Sequence, residues 1–250
     1  SVSGGTTGVR YYLSGGALSQ DGLRMGSSYK KVYGRINLDA NLAEWVKANV
    51  NTQVSYDDTQ VSPFGSNNAV GGGLAAMNAP FASPYDPNTG LELERVPLLD
   101  LSTPKHVIST NPAKTNAFIL SANGSLTLTP IKNLTIRSLA GLELNYGDSR
   151  SRTLPSYYRA YGNGSSQRAY SMASNVTLTN TVAYNMAFDD HHITALLGHE
   201  YTNYKDDGFS ASGSGILDDR LYLLNNATQS KSVGEDTNSY AFLSFFTQLS

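Results

Sequence analysis

The stretch Val46-Lys47-Ala48-Asn49-Val50-Asn51-Thr52-Gln53-Val54-Ser55-Tyr56-Asp57 decides the fold. Successive side chains of an extended strand point to opposite faces. Val46, Ala48, Val50, Thr52, Val54 and Tyr56 therefore share one face, and Lys47, Asn49, Asn51, Gln53, Ser55 and Asp57 the other. A helix would need apolar residues recurring at a spacing of about 3.6, which this stretch lacks.

Working outward, the pattern recurs. Phe118, Leu120, Ala122, Gly124, Leu126 and Leu128 oppose Ser121, Asn123, Ser125 and Thr127. Leu134, Ile136, Ala140, Leu142, Leu144 and Tyr146 oppose Thr135, Arg137, Glu143 and Asn145. Tyr170, Met172, Val176, Leu178, Val182, Tyr184 and Met186 oppose Asn175, Thr177, Thr179, Thr181 and Asn185. These runs are about twice the ~5–6 residues of an ordinary strand, as a tilted membrane-crossing strand requires.

The connections sort by length. Short turns are expected at residues 6–8, 41–44, 129–133 and 189–190, and long polar connections at 20–28, 59–112, 149–167 and 206–237. Short and long alternate along the chain, which is the ordering of an up-and-down outer-membrane barrel with short periplasmic turns and long outer loops. Strands are expected near 8–20, 28–40, 46–58, 113–129, 133–148, 168–188, 191–205 and 238–250, with residues 1–5 ending an earlier one. The fold class is thus all-β: a transmembrane antiparallel up-and-down β-barrel, here about eight strands. Trp45 and Phe188 beside short turns, with Tyr56, Tyr146, Tyr170 and Tyr204 toward the long loops, fit two interfacial aromatic girdles.

Composition agrees. Only 15% of residues are charged, against ~25% in an average soluble domain. The net charge of −2 offers nothing to a nucleic acid, so none is expected as a partner. The absence of Cys excludes disulfides, thiolate metal sites and a Cys nucleophile. No apolar run approaches the ~18 residues of a membrane-spanning helix, and no secretory signal opens the chain.

No residue is assigned a catalytic, cofactor-binding or metal-binding role. His191 and His192 face opposite sides of a strand, and His191 and His199 are ~26 Å apart at ~3.3 Å per residue; His106 stands in a long loop. The pairs Asp57-Asp58, Asp189-Asp190, Asp206-Asp207 and Asp218-Asp219 could do acid/base work or hold Ca²⁺ through oxygen, but read as turn and loop residues kept in water. Gly71-Gly72-Gly73 lacks the Lys-Ser/Thr of a phosphate loop, and no G-x-S-x-G nucleophile elbow is present. Glycosylation patterns at Asn123, Asn133, Asn163, Asn175 and Asn226 fall partly inside strands, which argues against modification. The chain is expected to be no enzyme. Connection 59–112, rich in Pro and aromatic residues, is the best functional candidate, folding into the lumen, touching ligand, contacting a lipoprotein lid, or merely covering the mouth.

Several segments together resemble the SusC/RagA family. Ser3-Gly4-Gly5-Thr6 with Arg10-Tyr11-Tyr12-Leu13-Ser14, and Leu18-Ser19-Gln20-Asp21-Gly22 leading to Tyr29-Lys30 and Arg35-Ile36-Asn37-Leu38-Asp39, are similar to its barrel region. Ala195-Leu196-Leu197-Gly198-His199-Glu200-Tyr201, Phe209-Ser210-Ala211-Ser212-Gly213 and the strand from Ser239-Tyr240 resemble further stretches. The resemblance implies a TonB-dependent transporter of the Bacteroidota outer membrane, a barrel of about 22 strands around an N-terminal plug. It also implies a SusD-like surface lipoprotein as lid, the TonB complex as power source, a glycan or peptide as substrate, and the lipid bilayer as surroundings.

Residues 1–250 are expected to be a partial barrel, an internal segment without plug or TonB-contacting segment that would not transport by itself. Two alternatives stay open: a small self-contained outer-membrane barrel with an adhesive, structural or hydrolase role, and a soluble β-sandwich binding module.

Overall fold

A computed structural model describes residues 1–23, 25–61, 83–96, 101–188 and 191–250, without the side chains of residues 61, 101 and 191. Nine strands form one antiparallel sheet: β1 (Val2–Gly5), β2 (Val9–Asp21), β3 (Ser28–Ala43), β4 (Val46–Val61), β7 (Ala113–Leu128), β8 (Leu134–Thr153), β9 (Gly164–Phe188), β10 (His191–Ile216) and β11 (Gln229–Leu249). They stand in chain order, each paired with its predecessor. Between β4 and β7 lie the two-residue strands β5 (Arg95–Val96) and β6 (Leu101–Ser102) and the helix α1 (Pro104–Thr110). The expected up-and-down order is therefore present, and the turns at 6–8, 44–45 and 129–133 fall at the same end of the sheet as the paired residues Phe188 and His191.

Register carries the alternation across the whole sheet. Val54, Leu120 and Leu144 stand abreast on one face, as do Ala122, Leu142 and Val176, and Ile136, Val182 and Leu197. A slip of one residue in any pair would send that apolar set to the polar side, so the two-faced environment fixes the register. From Phe118 to Leu128 the apolar face runs roughly 33 Å along the strand, or about 25 Å after a tilt of ~40°, the height of an outer-membrane apolar band.

Among the described residues nothing packs on this face. Among the described residues the buried apolar side chains are Val96, Val107, Ile216 and Ala227, all at the long-loop end. Leu142, Val176 and Val182 remain 37–43% exposed, and Leu197 and Phe245 more so. A sandwich would cover such a face with a second sheet; among the described residues the nine strands form a single layer, which argues against that alternative.

Three expectations need correction. The connections placed at 149–167 and 206–237 are largely strand: β8 runs on to Thr153, β9 begins at Gly164, β10 reaches Ile216 and β11 begins at Gln229. Apolar alternation stops where the apolar band stops, but antiparallel pairing continues, because Ser, Gly and Asp backbones can still form a ladder in water. Second, the 59–112 connection contains β5, β6 and α1, a short helix that strand periodicity could not reveal. Third, Tyr56, Tyr146 and Tyr170 lie on the apolar face, whereas Tyr204 faces the polar side, stacked on Tyr240 with ring centroids 5.0 Å apart.

β10 ends in a bulge at Gly215, whose φ of +81° and close approach to Thr228 and Gln229 leave no room for a Cβ. Gly215→Ala is expected to cost about 1–3 kcal/mol, read as earlier unfolding of the outer loops with unchanged insertion of the barrel.

Candidate functional site

The polar face forms a continuous wall. One cross-strand row reads Ser14, Arg35, Gln53, Ser121, Glu143, Asn175, Tyr204 and Tyr240 across β2 to β11. Arg35 Nη2 donates to Gln53 Oε1 at 2.6 Å, Asn51 Nδ2 to Asn49 Oδ1 at 2.6 Å, and Asn49 in turn to Asp39. Tyr29 donates its hydroxyl to Asp57 Oδ2 at 2.8 Å, with Lys31 Nζ 3.6 Å from the same oxygen. Thr179 donates to Glu200 at 3.1 Å. Two shallow hollows open on this wall, about 550 Å³ beside Tyr12, Tyr33 and Arg35 and about 270 Å³ beside Asn37, Asn51 and Asn123. Side-chain amides and hydroxyls both donate and accept, so such a wall can exchange hydrogen bonds with peptide or sugar groups between its charged residues, Lys31 and Arg35 among them. Tyr204, Tyr240 and Phe242, with 5.2 Å between the last two rings, add one aromatic patch to it.

A second assembly caps the long-loop end. Pro104 starts α1 at the position where a missing N–H is harmless. Val107 is fully buried, and Thr103, also fully buried, donates its hydroxyl to Leu93 O at 2.7 Å. Lys105 pairs with Glu92 at 2.8 Å, and that contact raises the Lys105 pKa. Loop 154–163 docks here: Ser102 Oγ lies 3.1 Å from the Tyr157 hydroxyl, Leu154 N donates to Thr110 O at 2.7 Å, and His106 packs on Tyr157 and Tyr158. Arg152 ties in loop 217–228 by donating to Asp219 O and Leu221 O, both at 2.9 Å. Asp218 sits below the usual carboxylate range because the Arg220 guanidinium, then its backbone N–H, donates to it. Asp86 is lowered likewise by the backbone N–H groups of Asn88 and Thr89. The outer loops are thus knit together by backbone bonds, the Arg152 guanidinium, and Ser102 and His106 against Tyr157 and Tyr158.

The residues weighed for chemistry disperse. Asp57 bonds on the polar face while Asp58 pairs with Lys114 on the apolar one, and Asp206 and Asp207 likewise alternate, so neither pair converges. Asp219 accepts from Ser156 N, away from the Asp218–Arg220 pair. His199 lies on the apolar face, 3.1 Å from Asn180 Nδ2 and against Phe245. His106 stands in α1, far along the chain from the other histidines. Among the described residues no cluster of metal-ligating side chains occurs. Gly71-Gly72-Gly73, Asp189-Asp190 and residues 62–82 and 97–100 of the candidate connection lie outside the described residues. The sequence reading missed the loop cap; its signal was the Thr103-Pro104 helix start. It also missed the cations that end the apolar face, whose signal was the same period two continued through Lys114, Arg150 and Arg168.

No family model matches the chain, and no curated protein matches it. Solved structures do. The RagAB peptide importer in its closed-closed state superposes with a TM-score of 0.87 at 27% identity, covering 99% of this chain and 29% of that one. The RagAB peptide transporter gives 0.88 at 26% identity over 99% and 29%, and the open-open state of the importer 0.87 at 26% over 99% and 28%. The chain therefore spans under a third of the length of the importer chains it matches.

Proposed function

The chain is a stretch of SusC/RagA-type β-barrel wall, and from that premise we propose that it serves TonB-dependent import of oligomeric nutrients across an outer membrane. The observation that carries this reading is the division of one unlayered sheet into an apolar face and a polar wall, in the register of an importer barrel. In this reading the apolar face meets lipid and the polar wall meets the transported molecule. The remaining strands, the plug and the TonB-contacting segment belong to the rest of the protein. The loop cap is the surface on which a SusD-like lipoprotein would close, since its segments are bonded to one another and stand at the long-loop end.

Between glycan and peptide, the neighbours favour peptide, because the solved structures are of a peptide importer. The amide-rich wall suits a peptide backbone. The protein acts here by passage, without chemistry on the cargo.

The test is uptake of a fluorescent oligopeptide mixture and of an oligosaccharide mixture by cells carrying the full-length protein with its lipoprotein. Peptide uptake that stops when TonB is removed supports the reading; uptake of neither in competent cells refutes it.

The face assignment has its own test. This stretch contributes no thiol, so one Cys introduced in the full-length protein reports alone from it. Gln53→Cys on the polar wall is expected to react with a charged, water-soluble thiol reagent at least tenfold faster than Val54→Cys on the apolar face. Equal reactivity would show that both sides meet water.

A further inference from the structure

Above the apolar band, the outward face changes character in a defined order. Tyr56, Phe118, Tyr146 and Met172 stand abreast on β4, β7, β8 and β9. The next row on that face is Asp58, Asn116, Asp148 and Tyr170, and the one after it is Gln60, Lys114, Arg150 and Arg168. Three cations thus stand directly opposite one another on three adjacent strands, and Lys30 stands opposite Asp58 on β3.

Like charges placed directly opposite in a sheet repel, and two carboxylates do not balance four cations. Lys114 pairs with Asp58 at 2.7 Å. Both arginines share Asp148: Arg150 Nη2 at 2.9 Å, and Arg168 in a two-pronged contact through Nε and Nη2 at 3.1 Å each. Arg168 is further held over the Tyr170 ring, with Cζ 4.5 Å from its centre. Asp148 is 13% exposed beneath them, while Arg150, Lys114 and Arg168 stay 51%, 52% and 37% exposed. The carboxylate therefore aligns the guanidinium groups from below and leaves them open outward. A guanidinium carries five N–H donors, so each retains capacity for a second, bidentate oxyanion.

We propose that Lys114, Arg150 and Arg168 form a binding site for the phosphate of a membrane lipid headgroup, whose acyl chains lie along the aromatic row below. The proposal rests on the membrane reading above, which places this face against lipid at the outer interface. The chemistry fits: a phosphate monoester matches the arginine fork and neutralises the surplus charge, and the aromatic row lies about 13 Å down the strand, or about 10 Å nearer the midplane at the same tilt of ~40°, where chains begin. Lys30 lies at the edge of the same patch.

The test uses the full-length protein with Lys114→Gln, Arg150→Gln and Arg168→Gln combined, and Lys47→Gln at the opposite end of the polar wall as control. Each is placed in bilayer discs of phosphatidylethanolamine with either bisphosphorylated lipid A or lipid A stripped of phosphate, and retained glycolipid is measured by native mass spectrometry after detergent extraction. The expected result is that wild type and control retain the phosphorylated form at least tenfold more than the stripped form, and that the triple variant loses this preference. Inorganic phosphate at millimolar concentration is expected to compete only weakly; full displacement by it would mean a free-anion site and overturn the lipid assignment. Equal retention by the triple variant that inserts normally overturns the proposal alone. Failure of wild type to insert into discs would instead refute the membrane reading.

Discussion

Leu142→Arg in the full-length protein is expected to lower the stability of the inserted barrel by ~2–4 kcal/mol, while Thr179→Arg leaves it nearly unchanged. Leu142 stands between Ala122 and Val176 on the apolar face, half-exposed and without a polar neighbour across either strand. A guanidinium there must enter hydrocarbon or draw water and headgroups toward it, and both are costly. Thr179 faces the wall, hydrogen-bonded to Glu200, so an Arg at that position meets an opposite charge in water. Urea-dependent folding into lipid vesicles, followed by the mobility difference between heated and unheated samples, measures both. Equal losses would mean that the two faces see the same surroundings, and the importer reading would fall with them.

Val107→Asp is expected to have a comparable effect in a different place. Val107 is fully buried in α1 beside the Thr103 cap, with loop 154–163 docked on the same helix. A carboxylate in that pocket either ionises without a partner or keeps its proton against its nature, at about 3–5 kcal/mol. Val107→Ala removes two methyl groups and should cost about 1–3 kcal/mol. The damage is local, because the cap is joined to the sheet through its outer ends while the long ladders below remain paired. External protease should therefore cut within 83–112 and 154–163 in the Asp variant while the barrel keeps its resistance to denaturant. If cleavage is unchanged, α1 does not hold the outer loops together.

The sheet was the most legible part of the chain because a membrane imposes the same rule on every strand. Val46 to Tyr56 had to alternate, as did the stretches from Phe118 to Leu128 and from Met172 to Met186, since one side meets lipid and the other water. The sorting of connections into short and long was equally plain. The resemblance to SusC/RagA barrels, carried by turns and strand motifs, agrees with the solved structures. Legibility ended where lipid ends. Beyond Asp148 and Asp206 the strands continue through Ser, Gly and charged residues, and nothing in that composition separates a solvated ladder from a loop.

By itself, then, the amino-acid order determined the strand class, the up-and-down succession and, for nearly every position between the girdles, the side on which it lies. Tyr204 shows the boundary of that knowledge: a tyrosine near a strand end suits either side, and only pairing with Asn175 and Tyr240 decided that it faces the wall. The tertiary structure alone decided the lengths of β8 to β11, the docking of α1 against loop 154–163, and the meeting of Lys114, Arg150 and Arg168 in one row. The reason is physical: a face follows from local period and one boundary condition, whereas a row across strands depends on register, which each strand acquires only from its neighbour.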